Sequence, residues 1–402
     1  MTGMLFRRTM VFALVFGFGV LVPSVLRADE VLDWNVVLQR ALFVSNTTGP
    51  AAARVAAIVH AAIFDAVNGI ERRYSPIHVT RSAPRGASRR AAAVQAAYAA
   101  VVKLYPSQKS TFDQQRGASL AAIRSDAAVE NSYSVARGIA WGQIVANAIL
   151  VWRSTDGFDP SLSTYQGSNA LGKWRPTPPA FAPGLFPSLA HTLPFAIPSP
   201  SSYRPAGPPA LTSAQYAADL NEVKVIGELT STLRTADQTE AARFWQGTAP
   251  TFWNRAAATA ARQQHTTLSD NARLFALLNV AMADAAISAW DAKYFYELWR
   301  PITAIRLAST DGNPDTVEQA DWTPLIVTPP FPEYTANHAS VSGAAHAVLT
   351  IYFGDEMPVE GTSEGLPGVV RAWPNFSSAA DEANLARIWG AFTSALPFAM
   401  RG

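Results

Sequence analysis

Twelve of the chain's 28 prolines fall between Pro160 and Pro209, and that concentration limits what the polypeptide can build there. Proline lacks a backbone N–H and has a fixed φ, so neither a helix interior nor a central strand can run through the stretch. A long irregular segment is uncommon in a compact domain unless it is a linker, a disordered tract or a functional cover. Trp174, Phe181, Phe186, Phe195 and Tyr203 lie scattered through it, which argues against a solvated linker. Residues 159–211 are therefore expected to form a wrap packed on the rest of the fold.

Outside that segment the apolar residues recur at helical spacing in alanine-rich stretches. These are Ala51 to Val67, Arg89 to Leu104, Ala121 to Trp152, Ser213 to Ser231, Asn271 to Leu298 and His338 to Phe353. Asp33-Trp34-Asn35 predicts the cap of a further short helix, and no stretch alternates convincingly as a strand. The expected fold class is all-α, a helical bundle wrapped by the proline-rich segment, with residues 29–402 as a single domain. With 49% apolar and 15% charged residues, the chain can bury a sizeable core. The absence of cysteine excludes thiolate nucleophiles, iron–sulfur clusters and Cys-type zinc sites.

Residues 1–28 read as an export signal. Arg7 and Arg8 precede an apolar run from Thr9 to Val22, and Leu26-Arg27-Ala28 offers a small residue at a cleavage point. An uncleaved membrane anchor is the alternative. Cleavage removes Arg7, Arg8 and Arg27 and takes the formal charge from +2 to 2 − 3 = −1, which leaves no electrostatic footprint for nucleic acid. No later segment is expected to span a membrane, so the mature form is expected outside the cytoplasm, periplasmic or secreted.

The candidate chemistry lies in the last third. Lys293 and Arg300 are seven residues apart and return to one helical face. Pro301 disfavours helical geometry at Arg300 and puts it at the helix exit. There a guanidinium can clasp an anion bidentately beside the lysine's point charge. Next, Phe331-Pro332-Glu333-Tyr334-Thr335-Ala336-Asn337-His338 opens into an apolar helix. The free N–H groups of that helix start suit an anion, with His338 poised for proton exchange. Arg387 follows near the C-terminus. Taken singly, each residue has an ordinary alternative, a snorkelling lysine, an arginine on a helix dipole or a capping histidine.

Together, Lys-x6-Arg-Pro, the turn before His338, and Arg387 resemble the three-part signature shared by vanadium-dependent haloperoxidases and type 2 phosphatidic acid phosphatases. The likeness is to the soluble, exported bacterial branch. It extends through Val59-His60-Ala61-Ala62-Ile63-Phe64-Asp65-Ala66-Val67-Asn68, Trp174-Arg175-Pro176 and Phe252-Trp253-Asn254-Arg255. The resemblance implies that Lys293, Arg300, Asn337 (through its N–H) and Arg387 bind vanadate, and that His338 is the acid–base histidine. The substrates it implies are small molecules, hydrogen peroxide and a halide, or a phosphate ester if the chain is instead an exported acid phosphatase.

Three positions depart from that pattern. Ala336 replaces a serine, Asn337 a glycine, and Thr393 the second histidine, which binds vanadium in the peroxidases and attacks phosphorus in the phosphatases. Threonine cannot act as an imidazole ligand. Codons can be chosen for residues 391–400 such that restoring one G before them reads Gly-Ile-His-Phe-Arg-Ser-Ala-Val-Arg-Asp. Residues 391–402 are therefore expected to be a tail scrambled and truncated by a single-base deletion. Haloperoxidase chemistry is expected to be impaired in the chain as it stands, and a non-catalytic oxyanion- or partner-binding role is the third expectation.

Overall fold

The computed structural model describes residues 29–394, apart from 48, 127–129 and 162. The expected export signal and residues 395–402 of the expected scrambled tail lie outside the described residues. Within them the fold is helical. Helix α1 (Glu30–Val44) is capped by Asp29, whose carboxylate accepts from the N–H groups of Val31 and Leu32. Asp33-Trp34-Asn35 therefore lies inside α1 and does not cap it. Helices α2 (Gly49–Glu71) and α3 (Arg89–Leu104) follow.

The single helix expected from Ala121 to Trp152 is two, α4 (Lys109–Ser125) and α5 (Ser132–Arg153). The break is made by Asn131, which caps α5 through a reciprocal capping box with Ser134. Then come α6 (Ala214–Ile226), α7 (Ala236–Phe244), α8 (Ala249–Gln263), the long α9 (Leu268–Tyr296), α10 (Pro301–Arg306) and α11 (Asn337–Phe353). A short antiparallel pair, β1 (Val359–Thr362) and β2 (Val370–Trp373), precedes α12 (Phe376–Trp389). No strand was expected; this hairpin is a four-residue register from Val359↔Trp373 to Thr362↔Val370.

Alanine is used for close packing more than for helix propensity. Helix α2 lies among α3, α5 and α9, with Ala52, Ala53, Ala56, Ala57, Ala61 and Ala62 fully buried. Helix α5 presses against α3 through Gly138 and Gly142. A Cβ at either position would sit 2.4 Å from a carbonyl oxygen, Ser88 O or Ala92 O. Three helices, α2, α5 and α9, are long and apolar enough to cross a membrane, which corrects the expectation that no later segment would be. For α2 and α9 the packing accounts for it, because 83% and 72% of their most apolar windows are buried inside the bundle.

The proline-rich segment wraps α9. Asp284 on α9 accepts from three successive backbone N–H groups, those of Phe195, Ala196 and Ile197, at 2.7–3.1 Å. Asp291 takes Arg204 bidentately at 2.6 and 2.7 Å. Trp174 is fully buried and Phe195 nearly so, whereas Phe181 and Tyr203 are 62% and 72% exposed. The aromatics that seat the wrap are thus only some of those that suggested it.

Candidate functional site

Chain geometry at three helix ends brings the basic residues together. Lys293 lies in the last turn of α9, which Glu297 ends in a left-handed conformation (φ 53°). Arg300 is already off that helix. Its extended backbone (φ −80°, ψ 155°) caps α10, with Pro301 in the first turn, where its missing N–H costs nothing. The expectation that Lys293 and Arg300 share one helical face is therefore corrected: a connecting turn, and not helical periodicity, makes them converge. Asn337 and His338 begin α11, and Arg387 occupies the last turn of α12. Ala391, at φ 61°, turns the chain back so that Phe392 and Thr393 face the others. All six residues singled out from the sequence, Lys293, Arg300, Asn337, His338, Arg387 and Thr393, line one cavity of about 240 Å³.

The three cations are nearly inaccessible, at 1%, 2% and 3% exposure for Lys293, Arg300 and Arg387. Lys293 Nζ donates to Pro332 O at 3.0 Å and Glu333 O at 2.6 Å. Arg300 Nε donates to Phe331 O and its Nη1 to Phe392 O, each at 2.6 Å. Arg387 Nη2 donates to Trp245 O at 2.7 Å. The partners are carbonyl oxygens, which satisfy donors without neutralising charge. Burial and the neighbouring Arg300 hold the Lys293 ammonium well below its ordinary value. Burial brings Arg300 down to about 10. Burial and then Arg300 bring Arg387 down to about 9. Each charge is penalised by its desolvation, and Lys293 and Arg387 also by a like charge nearby.

Among the described residues lining the cavity, two guanidinium nitrogens, Arg300 Nη2 and Arg387 Nε, are buried with no hydrogen-bond partner. Such donors are costly to leave unpaired. The start of α11 adds backbone donors, since Ala336 offers no side-chain cap and the first helical N–H groups have no partner within the helix. Asn337 Oδ1 is also unpartnered and would accept from a protonated oxygen of a guest. This donor-rich lining fits the oxygens of a tetrahedral oxyanion. His338 is half-buried, with Nε2 3.0 Å from Gly247 O. Burial, with Arg387 and Lys293 adding repulsion, lowers its pKa to about 3, so the ring is neutral at pH 7.

The position that departs from the family pattern has partners of its own. Thr393 Oγ1 donates to Glu333 Oε1 at 2.9 Å, and that oxygen also accepts from Ser394 N at 2.6 Å and Ser394 Oγ at 2.8 Å. Among the described residues, His338 is the one imidazole lining the cavity. The lining thus fits vanadate as an oxyanion but does not fit it as a metal centre that needs a second histidine nitrogen. Sequence reasoning quoted Glu333 within its turn and gave it no role; a lone glutamate beside three cations was the available signal. It also missed the aromatic wall, Trp290 and Phe331, over which Lys293 Nζ lies at 5.9 and 5.2 Å.

A helical bundle that buries three converging cations beside a helix N-terminus defines a class of oxyanion-site protein. Residues 273–393 match a family model described as the second helical-bundle domain of VCPO. The chain is 32% identical over 181 residues to the vanadium chloroperoxidase of Curvularia inaequalis, covering 37% of this chain and 29% of that protein. It thus matches under a third of that relative's length. A structure described as the first bacterial vanadium-dependent iodoperoxidase aligns over 91% of this chain and 90% of its own, with TM-score 0.76 and 28% identity. A holo-type bacterial vanadium-dependent chloroperoxidase aligns over 92% and 89%, with TM-score 0.66 and 15% identity, and shares the fold. The family model, the relative and the solved structures together support the superfamily of the vanadium haloperoxidases.

Proposed function

We propose that this chain is a haloperoxidase-like oxyanion-binding protein whose cavity takes vanadate, and that its oxidation of halide by hydrogen peroxide is impaired by Thr393. The observation that carries the reading is the convergence of Lys293, Arg300 and Arg387 on one cavity with two buried guanidinium N–H donors unpaired. Arg300 and Arg387 would hold oxygens of the guest, and Lys293 would add charge. The N-terminus of α11 at Asn337 would supply backbone donors. His338, neutral at pH 7, would take up a proton at the guest's edge. Vanadate, when bound, would supply a Lewis acid that activates peroxide toward a halide. Thr393 cannot anchor the metal as an imidazole does, which is why binding is expected to be weaker and turnover low. The relatives named above are called vanadium chloroperoxidases and an iodoperoxidase, and they support a small-molecule substrate here. The apolar segment after Arg7-Arg8 supports export.

The test is a calorimetric titration of the purified chain with orthovanadate, alongside bromide oxidation with peroxide, for the parent and for Thr393→His. The parent should bind vanadate and oxidise bromide feebly, and T393H should bind more tightly and oxidise faster. A parent that binds no tetrahedral oxyanion would end the proposal. Phosphate fits the same donors, and the contact of Thr393 Oγ1 with Glu333 Oε1 at 2.9 Å favours keeping the acid-phosphatase alternative beside this one.

A further inference from the structure

A threonine hydroxyl is a poor nucleophile unless its proton is removed as the new bond forms. At Thr393 the structure supplies the group to do so. Among the described residues lining the cavity, Glu333 is the one carboxylate, and it is almost fully buried. Thr393 Oγ1 is 2.9 Å from Glu333 Oε1, within proton-transfer reach. Thr393 lines the cavity that also holds Lys293, Arg300 and Arg387. Ser394 shares the same carboxylate oxygen but does not line the cavity, so the threonine is the hydroxyl presented to a bound anion.

We propose that Thr393 is a phosphoryl acceptor, its Oγ1 attacking the phosphorus of an acyl or aryl phosphate held among Lys293, Arg300 and Arg387 while Glu333 takes the hydroxyl proton. The inference rests on the oxyanion reading of the cavity. In this step the Thr393 Oγ1–P bond forms and the bond from phosphorus to the departing oxygen breaks. The electron pair of the broken bond leaves with a carboxylate or phenolate, and the proton ends on Glu333. No oxidant or reductant is involved. The class of donor follows from the lining. His338, with Nε2 on Gly247 O and a ring neutral at pH 7, has no proton to spare for an alkoxide. The leaving group must therefore depart as a stable anion.

The test treats the full chain with acetyl phosphate or p-nitrophenyl phosphate and reads the intact mass, with peptide mapping of any labelled site. Expected are a gain of one phosphoryl group on Thr393 and a burst of nitrophenolate stoichiometric with protein. T393V should abolish labelling and Thr393→Ser preserve it. E333Q should slow labelling by roughly 10²–10⁴-fold, the range for loss of a general base. Orthovanadate binding, measured in parallel, confirms that each variant is folded. If the chain and its variants bind vanadate yet stay unlabelled, or carry the label on another residue, the acceptor role is overturned and the oxyanion reading stands. Absence of both binding and labelling overturns the two together. Labelling of E333Q at the parent rate removes Glu333 as the base and overturns the proposal as stated.

Discussion

Replacing Arg387 with methionine should make the anion-free protein more stable while removing its response to anions. The charged guanidinium is buried among other cations, and its depression from 12.5 to about 9 corresponds to about 5 kcal/mol against folding with the charge in place. Against this, the variant loses the bond from Nη2 to Trp245 O at 2.7 Å, about 1.5–3 kcal/mol for a charged donor. It also loses the Phe392 ring, 4.4 Å from the guanidinium, about 1 kcal/mol. The balance favours R387M by about 1–2 kcal/mol. For a chain of 402 residues the unfolding entropy is about 0.8 kcal/mol/K, so Tm should rise by about 1–3 °C. Phosphate or vanadate at a hundred times its Kd should raise the parent's Tm by about 3 °C, from about 2.7 kcal/mol of ligand stabilisation, and leave R387M unmoved. Scanning calorimetry at pH 7 in buffer free of phosphate and sulfate measures both. An R387M protein that melts below the parent in that buffer, or that keeps the full anion response, would refute the reasoning.

Gly142→Ala should destabilise the fold by about 1–3 kcal/mol, because its Cβ would press to 2.4 Å from Ala92 O; urea unfolding reads the loss, and an unchanged midpoint would contradict the packing argument. Asp284→Ala strands the N–H groups of Phe195, Ala196 and Ile197, at about 1–3 kcal/mol each if none finds water. Hydrogen exchange should accelerate at those amides well before it does in α2. His338, held at about 3 by burial, Arg387 and Lys293, lies below its unfolded value of 6.5. The unfolded chain therefore binds the proton more tightly, and stability falls as pH drops from about 6.5 to about 3. Glu333, raised by burial, works in the opposite sense, so the comparison is with His338→Gln, whose unfolding free energy should fall less than the parent's between pH 7 and pH 4.

The helical class and the wrap were legible in the sequence from short-range rules, and the six cavity residues from the resemblance of three spaced motifs to a known family. Proline keeps α-helix out of residues 160–209, where only short 3-10 turns at Pro187–His191 and Pro200–Tyr203 form among the described residues, and Pro301 fixes where Arg300 leaves its helix. What was not legible depends on contacts between distant segments. Apolar spacing continues from Ala121 to Trp152, and the side-chain cap at Asn131 starts a new helix within it. Helices α7 and α12 are rich in charged and small residues and gain stability from neighbours, so their pattern is weak. Glu333 is meaningful only once Thr393, sixty residues later, lies against it. The approach of Lys293 to Arg300 depends on the left-handed turn at Glu297, a conformation that a glutamate does not announce.

The contacts of residues 392–394 bear on how the cavity treats a guest. Phe392 O accepts from Arg300 Nη1, and its ring covers Arg387. A carbonyl oxygen carries only a partial charge, so it satisfies one donor without neutralising it, and Glu333 offsets only part of the penalty on Lys293 and Arg300, as the depressed pKa values record. A tetrahedral anion brings full charge and several acceptor oxygens, and it can reach the nitrogens that Phe392 does not, Arg300 Nη2 and Arg387 Nε. Anion and tail therefore compete for Arg300 but not for every donor. Binding should be accompanied by proton uptake, since a bound negative charge raises the pKa of Lys293 toward its ordinary value. Calorimetry in buffers of different ionisation enthalpy separates that uptake from the binding heat. Binding without proton uptake would contradict a Lys293 ammonium held below its ordinary value in the empty cavity.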